Sequence, residues 1–211
     1  MSASAKRRDA SPGEVAVGVA LLSALSVAAH ACASAPAAPN ATANAPVESA
    51  PVSAYVALAV GNAWTYEVRT GGSAASTSDT VRITGRDGPW FLDDHRGRLR
   101  LDGLGLRDGD RYLLRGPLAP GASWSSVEQM AVQRFKITAI DAAVQTRAGL
   151  FEKCVVVQNS EPLAQGTSFV TEWTYAPGVG LVALHTKTVT SAGKEQEQLR
   201  LALVKFEQAA K

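Results

Sequence analysis

Cysteine and histidine, which carry much of the metal and nucleophilic chemistry in proteins, are scarce in this sequence: it has two cysteines and three histidines. They form neither a His-x-x-His pair nor a cysteine cluster, and there is no Gly-x-Ser-x-Gly elbow and no glycine loop of the kind that holds phosphates. These absences exclude the common catalytic and metal-binding motifs. We therefore expect no catalytic residue, no cofactor and no metal, and a protein that is not an enzyme.

Net charge is also small, at +2 from 21 basic and 19 acidic side chains. Three of the basic residues, Lys6, Arg7 and Arg8, lie close to the N-terminus, so the rest of the chain is almost neutral. Binding to nucleic acid or to an anionic membrane surface draws on an excess of Lys and Arg. The composition provides no such overall excess and predicts no nucleic-acid partner.

Two polar groups in the middle of the chain look like sites in the sequence alone. Asp93-Asp94-His95 has ligand-type side chains, but a metal would need further ligands that do not lie nearby, and solvated turn residues explain the group as well. Arg96, Arg98 and Arg100 alternate along a possible edge strand. They would either contact a phosphate or headgroup, or block pairing with another strand.

Long hydrophobic runs are absent, and the longest apolar stretch, Val15 to Ala29, is diluted by Ala, Gly and Ser. A lasting transmembrane helix needs about 20 strongly apolar residues. A positive segment precedes this stretch and small residues follow it, which is the layout of a secretory signal peptide. We predict that residues 1–31 are a signal peptide that is removed; an uncleaved anchor is an alternative.

Cys32 follows directly after this segment. A cysteine in that position resembles the lipobox of bacterial lipoproteins, although Ala29 and His30 depart from the usual Leu and small residue. The resemblance implies cleavage before Cys32 and lipid attachment, including palmitate, to that cysteine. Ala33 next to it, rather than Asp, implies an outer-membrane lipoprotein that faces the periplasm. A secreted soluble protein, cut at an ordinary A-x-A site, is the alternative.

The chain then divides by composition into a linker, a domain and a tail. Residues 32–53 are almost all Ala, Pro, Ser, Asn and Val, which predicts a disordered linker after the lipidated cysteine. Residues 54–207 form the predicted domain, and 208–211 a short tail. If Cys32 is acylated, Cys154 has no disulfide partner and is expected to be a buried, inert thiol. If Cys32 is not acylated, a Cys32–Cys154 disulfide is the alternative.

Alternation of apolar and polar residues dominates the predicted domain. Trp64, Tyr66 and Val68 fall on one face of a strand, and similar runs follow at short intervals with Gly- and Asp-rich turns between them. Only 196–206 also fits a helix, and we interpret it as a strand. The prediction is a mainly β protein with little helix after the signal peptide, built as a single curved antiparallel sheet or half-barrel.

Two short patterns recur within the domain. Leu58 to Trp64 and Leu118 to Trp124 share Leu-x-x-Gly-x-x-Trp, and Trp64-Thr-Tyr66 recurs as Trp173-Thr-Tyr175. A Trp and a Tyr two residues apart point to the same face of a sheet. They predict aromatic core anchors at strand starts, with an aromatic wall that contacts a ligand as the alternative.

The segment from Glu172 to Val182 is the most distinctive stretch of the sequence. Pro177, Gly178 and Gly180 predict a tight turn between two strands, whose aromatic and aliphatic side chains would hold the strands together. No helix follows the glycines, so they do not form a dinucleotide-binding loop. The segment is therefore interpreted as a structural motif.

Three motifs together resemble one family. They are the Leu-x-x-Gly-Asn-x-Trp-Thr-Tyr start, Arg147–Phe151 with Cys154–Val157, and Trp173–Val182. Over residues 55–207 the chain resembles uncharacterised bacterial lipoproteins of the TapB-like type. The resemblance implies a curved antiparallel sheet, similar to the half-barrel of LolA/LolB-like lipoprotein carriers. It implies no activity and no catalytic residue.

These observations lead to two functional hypotheses. The first is a non-catalytic envelope lipoprotein, held at the membrane by its N-terminal lipid, that binds an apolar ligand or lipid on the concave face of the sheet. The alternative is a structural or accessory subunit that recognises a protein partner in the cell envelope. Both rest on architecture, which does not by itself determine function.

Overall fold

The computed structural model describes residues 50–128 and 131–210, and this part of the chain is built almost entirely of β-strands. The strands are β1 (Ala63–Thr70), β2 (Thr77–Asp87), β3 (Trp90–Asp93), β4 (Arg98–Leu101), β5 (Gly105–Asp108), β6 (Arg111–Arg115), β7 (Ser123–Glu128), β8 (Ala131–Thr146), β9 (Gly149–Pro162), β10 (Ser168–Ala176), β11 (Gly180–Val189) and β12 (Glu195–Glu207). Short 3-10 helices span Val52–Tyr55 and Ala164–Gly166. The mainly β prediction is confirmed, and so is the strand interpretation of 196–206.

The strands form one 12-stranded antiparallel sheet in the order β6-β5-β4-β3-β2-β1-β12-β11-β10-β9-β8-β7. Sequential strands are neighbours throughout, except that β1 pairs with β12 and that β6 and β7 are the two edges. The predicted single curved antiparallel sheet is therefore confirmed, and the curvature brings it close to a closed barrel. One strand-level expectation is wrong: β4, which carries Arg98 and Arg100, lies inside the sheet and not at an edge.

A tryptophan side chain joins the two edges of the sheet. The indole Nε1 of Trp124 on β7 donates a hydrogen bond of 2.8 Å to the backbone carbonyl of Tyr112 on β6. The two edge strands are therefore connected by a side-chain hydrogen bond, and not by the backbone hydrogen bonds that join the other strands. The bond also satisfies an indole that is almost completely buried.

The repeated Leu-x-x-Gly-x-x-Trp pattern has the same geometry in both copies. Gly61 donates its backbone N–H to the Ile83 carbonyl and Gly121 donates to the Ile137 carbonyl, at 2.8 Å in each case. Both glycines have positive φ, 94° and 86°, which a residue with a side chain rarely adopts. Three residues later, each copy places a tryptophan in the core. The repeat is thus a repeated strand-entry structure.

Each of these tryptophans belongs to a different cluster of buried side chains. Trp64 stacks on Phe206 of β12 with ring centroids 5.3 Å apart. Trp124 stacks on Phe135 of β8 at 5.6 Å. The two strand entries therefore organise the two parts of the core.

The β8–β9 hairpin bends sharply. Asp141 and Lys153, on its two strands, have φ of 58° and 56°, a backbone conformation uncommon for residues other than glycine. Beyond the bend the tip reaches β12, where the backbone N–H of Ala148 donates to the carbonyl of Leu203 at 3.2 Å. The bend thereby places the tip of the hairpin in contact with β12, and also with β1, where Arg147 pairs with Glu67.

The segment before β1 packs into the interior of the sheet. Val52 and Tyr55 are buried in the core, and the Tyr55 hydroxyl donates to the carbonyl of Lys153 at 3.0 Å. The backbone N–H of Gly178 donates to the carbonyl of Ala54 at 2.7 Å. This segment therefore ties the Pro-Gly turn to the bent hairpin.

The predictions for the signal peptide (1–31) and for Cys32 concern residues outside the described ranges, and so does most of the predicted linker. At the other end of the chain, the backbone N–H of Ala209 donates to the Asn62 side chain at 2.8 Å. Across 50–128 and 131–210 no helix has the length and apolar character needed to cross a membrane.

Candidate functional site

The concave side of the sheet holds a partly open cavity of about 290 Å³. Its walls come from the segment before β1 and from strands in both halves of the sheet. The lining residues are Tyr55, Val56, Ala57, Leu58, Trp64, Tyr66, Asp79, Val81, Ile83, Leu99, Leu106, Asp108, Arg111, Leu113, Trp173, Tyr175, Gly180, Leu181 and Leu201. Most of this wall is aliphatic or aromatic, so the cavity favours an apolar occupant.

Five of the seven residues assigned to the structural motif line this cavity. They are Trp64, Tyr66, Trp173, Tyr175 and Gly180. The two Trp-Thr-Tyr copies, on β1 and β10, therefore face the same space although more than a hundred residues separate them. Both interpretations of the aromatic residues have a structural basis: they are core anchors, and they form a wall of the cavity.

The Pro-Gly turn lies at one end of the cavity and receives hydrogen bonds from β1. Trp64 donates from Nε1 to the Val179 carbonyl at 2.8 Å, and the Tyr66 hydroxyl donates to the Leu181 carbonyl at 3.0 Å. Gly178 and Gly180 have φ of 70° and 100°, so the turn requires their freedom from a Cβ. Pro177 precedes them at the exposed outer part of the turn. These contacts fix the position of the aromatic wall.

A few polar groups interrupt the apolar wall. Arg111 on β6 lies 2.8 Å from the Asp108 carboxylate on β5, across the turn that joins these strands. Burial raises the pKa values of Tyr66 and Tyr175, so both phenols remain neutral and able to donate hydrogen bonds at any physiological pH. The cavity therefore combines an apolar body with a small polar cluster.

The remaining cavity carboxylate, Asp79, connects the cavity to the Asp93-Asp94-His95 loop. His95 Nε2 lies 3.2 Å from Asp79 Oδ1, and its Nδ1 lies 3.2 Å from Asp94 Oδ1. Asp93 accepts the backbone N–H groups of His95 and Gly97, as expected for a turn aspartate. His95 is about half exposed, and no group of three or more metal-ligand side chains occurs in residues 50–128 and 131–210.

The other residues considered from the sequence lie elsewhere. Cys154 is completely buried and free, and burial raises the pKa of its thiol, which confirms the prediction of a buried thiol. Arg98 pairs with Asp87 and Arg100 pairs with Asp102. Both guanidinium groups also lie about 5 Å from the Trp90 ring, so they already have partners within the domain.

Sequence reasoning missed the polar cluster of the cavity. Nothing in the sequence marks Asp108, Arg111 or Asp79 as residues that line one cavity. Asp108 and Arg111 reach the cavity because curvature carries β5 and β6 opposite β10, a contact between strands that are not hydrogen-bonded neighbours, whereas Asp79 lies on β2 opposite Tyr66 of β1. Periodicity within one strand has no information on that contact.

Comparisons with known proteins give limited likenesses. No protein-family model and no curated protein matches the chain. Among solved structures, it is similar to a Bacteroides fragilis protein described as exported and as having a YmcC-like fold, at 14% identity and a TM-score of 0.43, over 71% of this chain and 97% of that one. It is also similar to a Parabacteroides distasonis protein described as a lipoprotein, at 9% identity and a TM-score of 0.38, over 72% and 98% respectively. Likenesses of this size leave the function to be argued from the cavity itself.

Proposed function

We propose that this protein is a non-catalytic, membrane-anchored envelope lipoprotein that binds an apolar ligand or lipid in the cavity of its sheet. The observation that carries the proposal is the cavity, with its aromatic wall and its small polar cluster. Ligand pockets typically have this composition, apolar over most of their surface with a few polar groups that orient the ligand.

The size of the cavity restricts the ligand. Binding pockets for small molecules span roughly 300–1,000 Å³, and a volume of about 290 Å³ lies at the lower limit of that range. A single acyl chain or a compact apolar molecule fits this space better than a lipid with two chains. The polar cluster around Arg111 and Asp108 would hold the polar end of such a molecule.

The proposal is tested on purified full-length protein in two ways. Organic extraction followed by mass spectrometry should recover a single-chain lipid or another apolar molecule at a stoichiometry near one. After extraction, the neutral probe N-phenyl-1-naphthylamine should bind with increased fluorescence and be displaced by a free fatty alcohol. Protein that yields no extracted molecule and does not bind the probe would be evidence against the function.

Membrane attachment is a separate part of the proposal and has its own test. Cys32→Ser removes the only residue that the lipobox resemblance assigns to acylation. Two acyl chains hold a protein firmly because each buried CH₂ contributes about 0.8 kcal/mol. We expect the wild-type protein in the outer-membrane fraction and the variant in the soluble fraction. Cys154→Ser is the matched control, and equal membrane retention of all three would contradict the anchor.

One surface feature favours the alternative, recognition of an envelope protein. Val127 and Val132 are directly opposite each other on β7 and β8, and their exposed fractions are 68% and 56%. An exposed apolar cross-strand pair beside a sheet edge suits a protein contact. A photocrosslinker at position 127 should then capture one specific envelope protein, whereas one at exposed Val60 should not. Capture of no specific protein at position 127 would remove this alternative.

A further inference from the structure

A second pocket lies where the tip of the β8–β9 hairpin meets β1 and β12. Its volume is about 250 Å³. The lining residues are Glu67, Arg69, Gln145, Thr146, Arg147, Arg200 and Ala202. They include none of the residues that line the interior cavity, so the two pockets are separate.

Positive charge is in excess in this pocket. Guanidinium nitrogens of Arg69 and Arg147 lie 3.2 Å and 3.3 Å from the same carboxylate oxygen, Oε1 of Glu67. The pKa of Glu67 is held below its ordinary value, first by a hydrogen bond from Ser76, then by a hydrogen bond from Arg69 and by the positive charges of Arg147 and Arg69. This carboxylate is therefore ionised at neutral pH. One carboxylate therefore faces three guanidinium groups, which leaves two positive charges.

The third guanidinium belongs to Arg200, which is directly opposite Arg69 in the β1–β12 pair. Like charges directly opposite each other destabilise a sheet. Arg200 takes part in none of the ion pairs found among residues 50–128 and 131–210. Among the described residues, Arg69 is thus paired with Glu67, while Arg200 beside it has no carboxylate partner, and an anion between the two arginines would remove their repulsion.

We propose that this pocket binds a phosphate group, either free or as the phosphomonoester head of a lipid. The two excess positive charges match a phosphate dianion. Guanidinium groups suit its oxygens because each presents a fork of parallel N–H donors. Glu67 positions two of the three forks before the ligand arrives, which reduces the entropy lost on binding.

In the first test, inorganic phosphate is titrated into the full-length protein at constant ionic strength, and the heat of binding is measured by isothermal titration calorimetry. We expect saturable binding of one phosphate, weakened about tenfold in Arg200→Gln because one charge-assisted contact is lost. In chloride alone, Arg200→Gln should have a higher Tm than the wild type, since the repulsion with Arg69 is removed. Arg98→Gln, an exposed arginine of β4, is the matched control and should leave phosphate affinity unchanged.

The second test identifies the source of the phosphate. Full-length protein carrying Cys32→Ala is sedimented with phosphatidylcholine vesicles, with or without phosphatidic acid. Extra binding to phosphatidic acid that Arg200→Gln abolishes would support the site and name a lipid, while binding of inorganic phosphate alone would support a soluble ligand. No binding of either probe, or binding that Arg200→Gln leaves unchanged, would overturn the proposal. A lower Tm of Arg200→Gln in chloride would also overturn it, by showing that Arg200 stabilises the sheet unaided.

Discussion

Trp64→Ala is expected to lower the free energy of unfolding by about 3–5 kcal/mol, the usual cost of removing a large buried aromatic side chain. Trp64 is 7% exposed, stacks on Phe206 at 5.3 Å and donates its indole N–H to the Val179 carbonyl at 2.8 Å. Its loss removes packing between β1 and β12 and leaves the Val179 carbonyl without its donor. Urea unfolding followed by circular dichroism measures the effect.

Two further variants separate the causes. Trp64→Phe retains most of the packing and removes the donor, so it should cost much less than alanine, with about 1 kcal/mol coming from the hydrogen bond. Trp90→Ala removes a half-buried tryptophan of β3 and should also cost clearly less than Trp64→Ala. If Trp64→Ala and Trp90→Ala were equally mild, the role of Trp64 in joining β1, β12 and the Pro-Gly turn would be wrong.

The sequence predicted this part of the fold well because each element has a local cause. Aromatic and β-branched residues with a period of two specify strands, and Gly61 and Gly121 mark the turns at which two strands enter the core. The repeated spacing is apparent in the sequence, and both copies make the same backbone hydrogen bonds. The sequence pattern predicts the structure correctly at these strand entries because a few neighbouring residues determine the backbone conformation there.

Other features could not be predicted, because they depend on distant segments. The bend of the β8–β9 hairpin occurs at Asp141 and Lys153. Aspartate is enriched in this conformation but is far more common outside it, and lysine does not mark it at all. Arg69 and Arg200 become neighbours only through the pairing of the first and last strands. The polar part of the cavity likewise comes from strands that approach through curvature. Each site therefore combines predictable residues with long-range placement.

Filling the cavity should abolish ligand binding without unfolding the protein. Val81 on β2 lines the cavity, and Val81→Trp would place a large apolar side chain in the available space. We expect binding of N-phenyl-1-naphthylamine to fall at least about tenfold, since loss of a few apolar contacts already costs more than 1.4 kcal/mol. The change in stability should remain within about 1–3 kcal/mol, the usual range for an enlarged core side chain.

The matched control makes the same substitution on the outside of the sheet. Val127 on β7 is 68% exposed, so Val127→Trp adds the same indole without entering the cavity, and probe binding should be unchanged. Ala57→Leu, a smaller addition to the cavity wall, provides a second filling variant if Val81→Trp lowers the Tm too far. Folded Val81→Trp and Ala57→Leu that both bind the probe as tightly as the wild type would place the ligand elsewhere. Loss of binding in the cavity variants alone would instead assign the ligand to the space between the two Trp-Thr-Tyr copies, because that is where the added side chains lie.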